Sequence, residues 1–247
     1  MKKDVFCPAL KAGAVPALEP GQIESPCDST DYSTKVPGAL DILGLYTKTG
    51  PSIVLIDSKS AGGTGFFVGH DGEDCLIITD NHAVPESNVP VVDNLGEAHF
   101  AEVRKRDLKN DLALLTSKLK FCPVLPQAET LPPDEHVVSI GHPEKFARAF
   151  VSEVGTYVGQ KTRLQLADSK LFYPPLSPGE DAQRSMQIFR DLRVPGGYSG
   201  GPIFNSKGEV VSAVSGVNAI DDHFYGFATP ISAARRLTEQ YLAEKAH

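Results

Sequence analysis

Val194-Pro195-Gly196-Gly197-Tyr198-Ser199-Gly200-Gly201-Pro202 places a serine between two glycine pairs. Glycine enters positive φ at no steric cost and lets another molecule approach the main chain closely. A serine on such a turn is presented as a candidate nucleophile. The N–H groups of Gly197 and Ser199 can point at one spot, which is what an oxyanion hole requires. A serine hydroxyl is a weak nucleophile, so the chain must also supply a base and a group that orients it.

Two stretches upstream offer them. Asn81-His82-Ala83 follows the hydrophobic run Cys75-Leu76-Ile77-Ile78-Thr79, and Asp111 heads a second one, Leu112-Ala113-Leu114-Leu115. The order along the chain is His82, Asp111, Ser199. At these residues the sequence resembles the trypsin-like (chymotrypsin-fold) serine peptidases. It is most similar to the HtrA/Deg branch, where T-x-x-H-V, D-L-A-L-L and G-x-S-G-G-P occur in that order. Ala83 departs from the first motif, where a valine stands. The resemblance covers roughly residues 38 to 240.

The resemblance implies an all-β fold of two six-stranded antiparallel β-barrels, with a short N-terminal helix and a C-terminal helix. It implies peptide-bond hydrolysis through an acyl-enzyme, with Ser199 as nucleophile, His82 as general base and Asp111 as the orienting acid. The oxyanion donors are then the Gly197 and Ser199 N–H groups. The residue six before the nucleophile, which lies at the base of the S1 pocket in this family, is Arg193. It is not the aspartate that selects Lys or Arg. An inward Arg193 favours an acidic side chain, but an unpartnered buried arginine is costly. Val194, Val217 and Phe227 imply a small to medium apolar P1 residue such as Val, Ala or Leu. Ser215-Gly216-Val217 resembles the segment that pairs with substrate as an added strand. Tyr198 replaces the aspartate that receives a freed N-terminus in many relatives, so activation by that ion pair is not expected. Something else must order the Gly196-Gly197 turn: the 161–183 loop or a neighbouring subunit, since HtrA-like peptidases are often trimers. A role in protein quality control or processing follows from the same resemblance, as does a periplasmic or secreted location.

Composition sets bounds. With 247 residues, 41% of them hydrophobic, the chain can bury a core large enough for two small barrels. It contains no apolar run long enough for a transmembrane helix. A net charge of −7 disfavours nucleic-acid binding. The densest basic run, residues 104–109 (RKRDLK), reads as a solvated hairpin tip. There is no C-x-x-C and no H-E-x-x-H, so neither a metal nor a cofactor is expected. Cys7 and Cys27 pair only if the protein is exported. Cys75 and Cys122, in or beside first-barrel strands, are either buried thiols or a bridge, and an oxidising compartment favours the bridge. Pro8, Lys11 and Pro16 interrupt what would be the apolar region of a signal peptide.

In chain order, residues 1–36 carry four prolines and read as an extended arm: a tail, a strap, a pro-segment or an oligomerisation arm. Residues 37–247 form the peptidase domain. Leu40, Leu43, Gly44 and Tyr46 predict a short amphipathic helix, stopped at Gly50-Pro51. Strand-like runs between about 50 and 121 predict barrel one. The Pro-rich stretch 122–134 reads as a linker, 135–230 as barrel two, and 161–183 as a long loop. Ile231, Ala234, Leu237, Tyr241 and Leu242 predict a terminal helix over 231–245. The chain ends where a PDZ domain begins in longer Deg relatives, so none is expected.

Two rival readings differ in class. Gly197-Tyr198-Ser199-Gly200-Gly201 satisfies the G-x-S-x-G pattern of the α/β-hydrolases. That fold needs a helix straight after the serine and an acid and a histidine downstream, for which Asp222-His223 is poorly spaced. The other rival is a non-catalytic binding module on the peptidase fold.

Overall fold

The computed structural model describes residues 41–143, 151–169, 179, 181–220 and 222–246. The arm 1–36, Cys7 and Cys27 lie outside them. Helix α1 (Ile42–Thr49) leads into β1 (Ile53–Ile56), β2 (Gly63–Asp71), β3 (Asp74–Asp80), β4 (Asn88–Val92), β5 (Ala98–Asp107) and β6 (Leu112–Ser117). These six strands close into an antiparallel barrel in the order β1-β2-β3-β6-β5-β4. β7 (His136–Gly141), β8 (Val151–Thr162), β9 (Ser185–Arg190), β10 (Pro202–Phe204), β11 (Val210–Ile220) and β12 (His223–Pro230) close a second one, β10-β11-β12-β9-β8-β7. Helix α2 (Arg163–Asp168) follows β8, and α3 (Ile231–Lys245) ends the described chain.

The central strands bury both faces, which is why they read as unbroken apolar runs and not as alternating ones. Ile77, Ala113 and Leu115 fill barrel one together with Val54, Val89 and Val91. Their neighbours Leu76, Ile78, Leu112 and Leu114 face the other way, into a cluster shared with Val138, Ile140 and Phe204 of barrel two. Ile231, Ala234, Leu237 and Tyr241 of α3 join that same cluster. The barrels are thus held by a common core.

Several expectations need correction. Cys75 and Cys122 form a disulfide, which ties β3 to the segment leaving barrel one and removes the free-thiol alternative. The helix face of α1 is not the expected one. Asp41 caps it by accepting from the Gly44 N–H, and Leu45 is the residue that enters the core. Leu43 is 76% and Tyr46 37% exposed. Leu242 of α3 likewise turns to solvent. The start of the expected 161–183 loop is regular: β8 runs to Thr162 and α2 follows, closed by a reciprocal capping box between Thr162 and Gln165. Most of the rest of that loop lies outside the described residues. The basic run 104–109 is no hairpin tip over its first four residues, because residues 104–107 belong to β5. Arg106 turns its guanidinium onto Asn81 Oδ1 at 2.7 Å and Glu86 O at 2.9 Å, clamping the turn that carries His82.

Candidate active site

His82 sits on a single 3-10 turn, Asn81–Ala83, at the end of β3. Asp111 occupies the turn into β6 with φ 56°. Aspartate is among the few non-glycine residues that visit this region readily. From there it accepts twice: Oδ1 from the His82 backbone N–H at 3.1 Å and Oδ2 from His82 Nδ1 at 2.7 Å. Its own carbonyl takes the Asn81 N–H at 2.9 Å. The ring is therefore fixed in position and tautomer by one residue. On its far side, Nε2 stands 2.9 Å from Ser199 Oγ, across 117 positions of sequence and from one barrel to the other.

The serine turn is built as its glycines require. Tyr198 N–H closes on Pro195 O at 3.3 Å, with Gly197 at φ 97°. Gly200, at φ 80°, donates to Val214 O at 2.8 Å. Among the described residues the Gly197 and Ser199 N–H groups take no backbone acceptor. Barrel one pins the turn: Thr64 N donates to Ser199 O at 2.9 Å, and Thr64 Oγ1 to Gly197 O at 2.8 Å. Gly63 is a close approach between the barrels, since a Cβ there would lie 2.5 Å from Ser199 O. Thr64 also receives the N–H of His142, a buried histidine that desolvation pushes down to about 4 and so keeps neutral.

Tyr198 orders the turn in place of an ion pair. It is 1% exposed and packs with Val137, Leu192, Val194 and Val214 in the barrel-two core. Its ring lies against Gly141, where a Cβ would come within 2.7 Å. Burial of this aromatic side chain anchors the turn to the barrel-two core.

Gly200 tolerates nothing larger. A Cβ there would fall on Asp80 N and Thr79 Oγ1, in a backbone conformation that L residues avoid. Gly200→Ala is expected to destabilise the protein by roughly 3 kcal/mol or more, read as a lowered urea midpoint with unchanged slope.

Beside the turn, Arg193, Val194, Pro195, Val217, Phe224 and Glu153 line a cavity of about 330 Å³. Val194 and Val217 belong to this lining; Phe227 does not. Strand residues alternate faces, so Phe224, Gly226 and Ala228 share one side of β12. Phe227 faces the other, packing with Leu166 of α2, Met186 and Ile188. The aromatic wall of the pocket is Phe224. The Arg193 guanidinium lies over the Phe224 ring, 4.5 Å from its centroid, and the residue is exposed, not buried at the pocket base. Burial pushes the Glu153 carboxyl up, against the charge of Arg193.

Ser215 is the extra residue of a bulge between Val214 and Gly216. Its hydroxyl meets Thr229 Oγ1 at 3.1 Å, and Thr229 in turn donates to Asn110 O at 3.2 Å, next to Asp111. β10 reaches only as far as the Pro202–Ala213 pair. Among the described residues, Ser215-Gly216-Val217 therefore pairs on one side only, with β12, and the outer edge is open to an added strand.

The electrostatics of His82 follow from its neighbours. Desolvation opposes the cation, but the Asp111 hydrogen bond and the charges of Asp80 and Asp111 outweigh it and raise His82 to about 9, with Arg184 opposing. Three groups among the described residues bring metal-binding atoms together. In His70/Cys75/Cys122 the sulfurs are spent in the disulfide. In Asp80/His82/Asp111 the ring nitrogen is committed to Asp111. In Asp93/Glu97/His99, His99 bonds Asp93 at 3.1 Å on a hairpin.

Two closed six-stranded barrels, with a serine, a histidine and an aspartate in hydrogen-bonded series where they meet, are the architecture of the chymotrypsin-fold class. Residues 63–212 match the trypsin-like peptidase domain, and the chain belongs to that family. A probable periplasmic serine endoprotease, DegP-like, from Ectopseudomonas mendocina is 30% identical over 187 residues, 74% of this chain and 35% of the relative. A DegP-like relative from Pseudomonas putida is 31% identical over 72% of this chain and 34% of its own length. The chain thus spans about a third of the curated relatives it matches. Among solved structures, the inactive form of Rv3671c from Mycobacterium tuberculosis H37Rv superposes with a TM-score of 0.66 at 25% identity, covering 85% of this chain and 96% of that one. The active form of the Rv3671c protease superposes with a TM-score of 0.64 at 25% identity, covering 78% of this chain and 82% of that one.

Sequence reasoning missed Thr64, Asp80, Arg106 and Phe224. Only Phe224 carried a local signal, the alternation of β12.

Proposed function

We propose that this chain is a serine endopeptidase working through an acyl-enzyme, with Ser199, His82 and Asp111 as its triad. The observation that carries the reading is the 2.9 Å approach of His82 Nε2 to Ser199 Oγ, with Nδ1 held on Asp111. Ser199 attacks the scissile carbonyl while His82 takes its proton. The oxyanion falls to the Gly197 and Ser199 N–H groups, and losing one such donor costs about 3 kcal/mol of barrier. His82 then protonates the leaving amine, and a water repeats the sequence on the ester.

Substrate is expected to lie along Ser215-Gly216-Val217 as an added strand, which supplies affinity without sequence choice. Val194 and Val217 favour Val, Ala or Leu at P1, with the Phe224 ring closing the pocket. Val217→Phe should lower kcat/KM for a leucine P1 peptide at least about tenfold, because a few methylenes in an apolar pocket are worth about 1–3 kcal/mol. Arg193→Ala should leave the apolar preference in place.

The α/β-hydrolase reading is disfavoured, because a β-strand and not a helix follows the serine turn. The disulfide and the names of the DegP-like relatives both favour a periplasmic or secreted site, with unfolded or processed proteins as substrates. A trimer is the assembly suggested by resemblance; light scattering reads it directly. No described helix is long and apolar enough to cross a membrane.

The test is a fluorophosphonate probe followed by a cleavage-site profile on a denatured protein. Labelling that is lost in Ser199→Ala, with cuts after small or medium apolar residues, supports the reading. An unlabelled protein at every pH between 6 and about 10 refutes it and leaves the binding module.

A further inference from the structure

Asp80 is not used by the mechanism above. It ends β3 two residues before His82, fully buried, and neither of its carboxylate oxygens has a hydrogen-bond partner. Oδ2 lies 3.8 Å from His82 Nδ1, the same nitrogen that bonds Asp111 Oδ2 at 2.7 Å. The inner edge of the imidazole therefore faces two carboxylates. One is in the hydrogen bond; the other is held close in a dry setting. A buried acid without a hydrogen bond is costly. Among the described residues, the ion-pair partner it does have within 4 Å is the imidazole.

We propose that Asp80 is a positioning residue for the catalytic base: a second, buried carboxylate that faces the imidazolium formed at His82 and holds it. This rests on the peptidase reading of His82 and Ser199.

Three charged groups, from three segments, act on Asp80. Burial drives its carboxyl well above the usual carboxylate range; the His82 charge pulls it down, Asp111 pushes it up, and Arg184, on the segment entering β9, pulls it down. The Gly200 N–H of the serine turn is also near and acts in the same direction as Arg184, although its hydrogen bond goes to Val214 O. Asp80 and His82 thus titrate as a pair.

The sign follows from the chemistry. His82 accepts the serine proton only when neutral. Activity must then rise with pH through its pKa, about 9 in this setting. An opposite charge within about 4–6 Å moves a pKa by roughly 1–3 units. Removing Asp80 should therefore move the acid limb to lower pH by about one unit or more. It should also lower the alkaline plateau several-fold, since a weaker base drives the proton transfer less. A residue that served only the packing of β3 would lower the plateau and leave the limb in place.

Two measurements decide it. The first follows the His82 ring nitrogens by NMR against pH in the Ser199→Ala protein, with Asp80 intact and with Asp80→Asn or Asp80→Ala. It needs no activity. With Asp80 present the ring should titrate near 9, and at least about one unit lower without it. The second is the pH profile of fluorophosphonate labelling with Ser199 intact, which should show the same displacement. A ring that titrates near its ordinary 6.5 with Asp80 in place, or identically with and without it, overturns the proposal. The former needs no Asp80 variant, so it decides the matter even if neither substitution folds. A displaced ring titration in a protein that the probe never labels would sink the peptidase reading and leave the Asp80–His82 coupling standing.

Discussion

His82→Ala and Ser199→Ala should each lower kcat by on the order of 10⁶, and the double variant should be no worse than either. The reason is that the two side chains act as one unit. Without the imidazole, Ser199 keeps its proton and is a poor nucleophile. Without the hydroxyl, the imidazole has nothing to deprotonate that sits 2.9 Å from Nε2. What survives in all three variants is the turn itself. Gly197 and Gly200 keep their positive φ, and Thr64 and Tyr198 still hold the loop. A residual rate of roughly 10³–10⁴ over water is expected from the oxyanion donors and substrate binding alone. Peptide-ester turnover by the purified variants measures this. Additive losses, in which the double variant falls by the product of the two singles, would mean that the residues do not share a proton. Retained activity in His82→Ala would point instead to a different base.

The serine turn, the histidine and the aspartate were legible because each carries a local reason to exist. Glycine pairs bracket the serine, and an acid or a histidine interrupts an apolar run at its end. The barrel strands were legible from the same runs. The shared core explains why those runs did not alternate: Leu114 faces barrel two while Leu115 fills barrel one. What stayed hidden depends on partners far away in sequence. Thr64 looks like an ordinary strand residue until its hydroxyl meets Gly197 O, 133 positions on. Asp80 looks like a polar strand end until the fold buries it under His82. The capping box at Thr162 and Gln165 was local and readable, but the prolines further along drew the reading toward a loop. The α1 face was misjudged by one position. A helix so short places its contacts by where it must pack, here through Leu45, more than by its periodicity. The disulfide needed the barrel closed before Cys75 and Cys122 could be seen as neighbours, 47 residues apart.

Asp111→Asn should fold normally and lose about 10⁴ in kcat on the alkaline plateau, where His82 is neutral in both proteins. Asparagine is nearly isosteric with aspartate and accepts the positive φ that this position requires. Its amide oxygen can still receive the His82 backbone N–H, the role now played by Oδ1 at 3.1 Å. That choice leaves the amide NH₂ facing Nδ1, where Oδ2 now accepts at 2.7 Å. Two donors cannot share that contact, so Nδ1 must give up its proton and accept. The proton moves to Nε2, which then points an N–H at Ser199 Oγ and cannot act as its base. The loss is therefore one of tautomer and not of fold. Unchanged thermal melting alongside a collapsed turnover number is the expected pair of results. The Asp111 charge also leaves, and with it part of what raises His82, so the ring should titrate lower than in the parent protein. Loss of turnover with no fall in the His82 titration would separate the two effects against this account. It would show that Asp111 supplies geometry alone, and that Asp80 by itself keeps the ring basic.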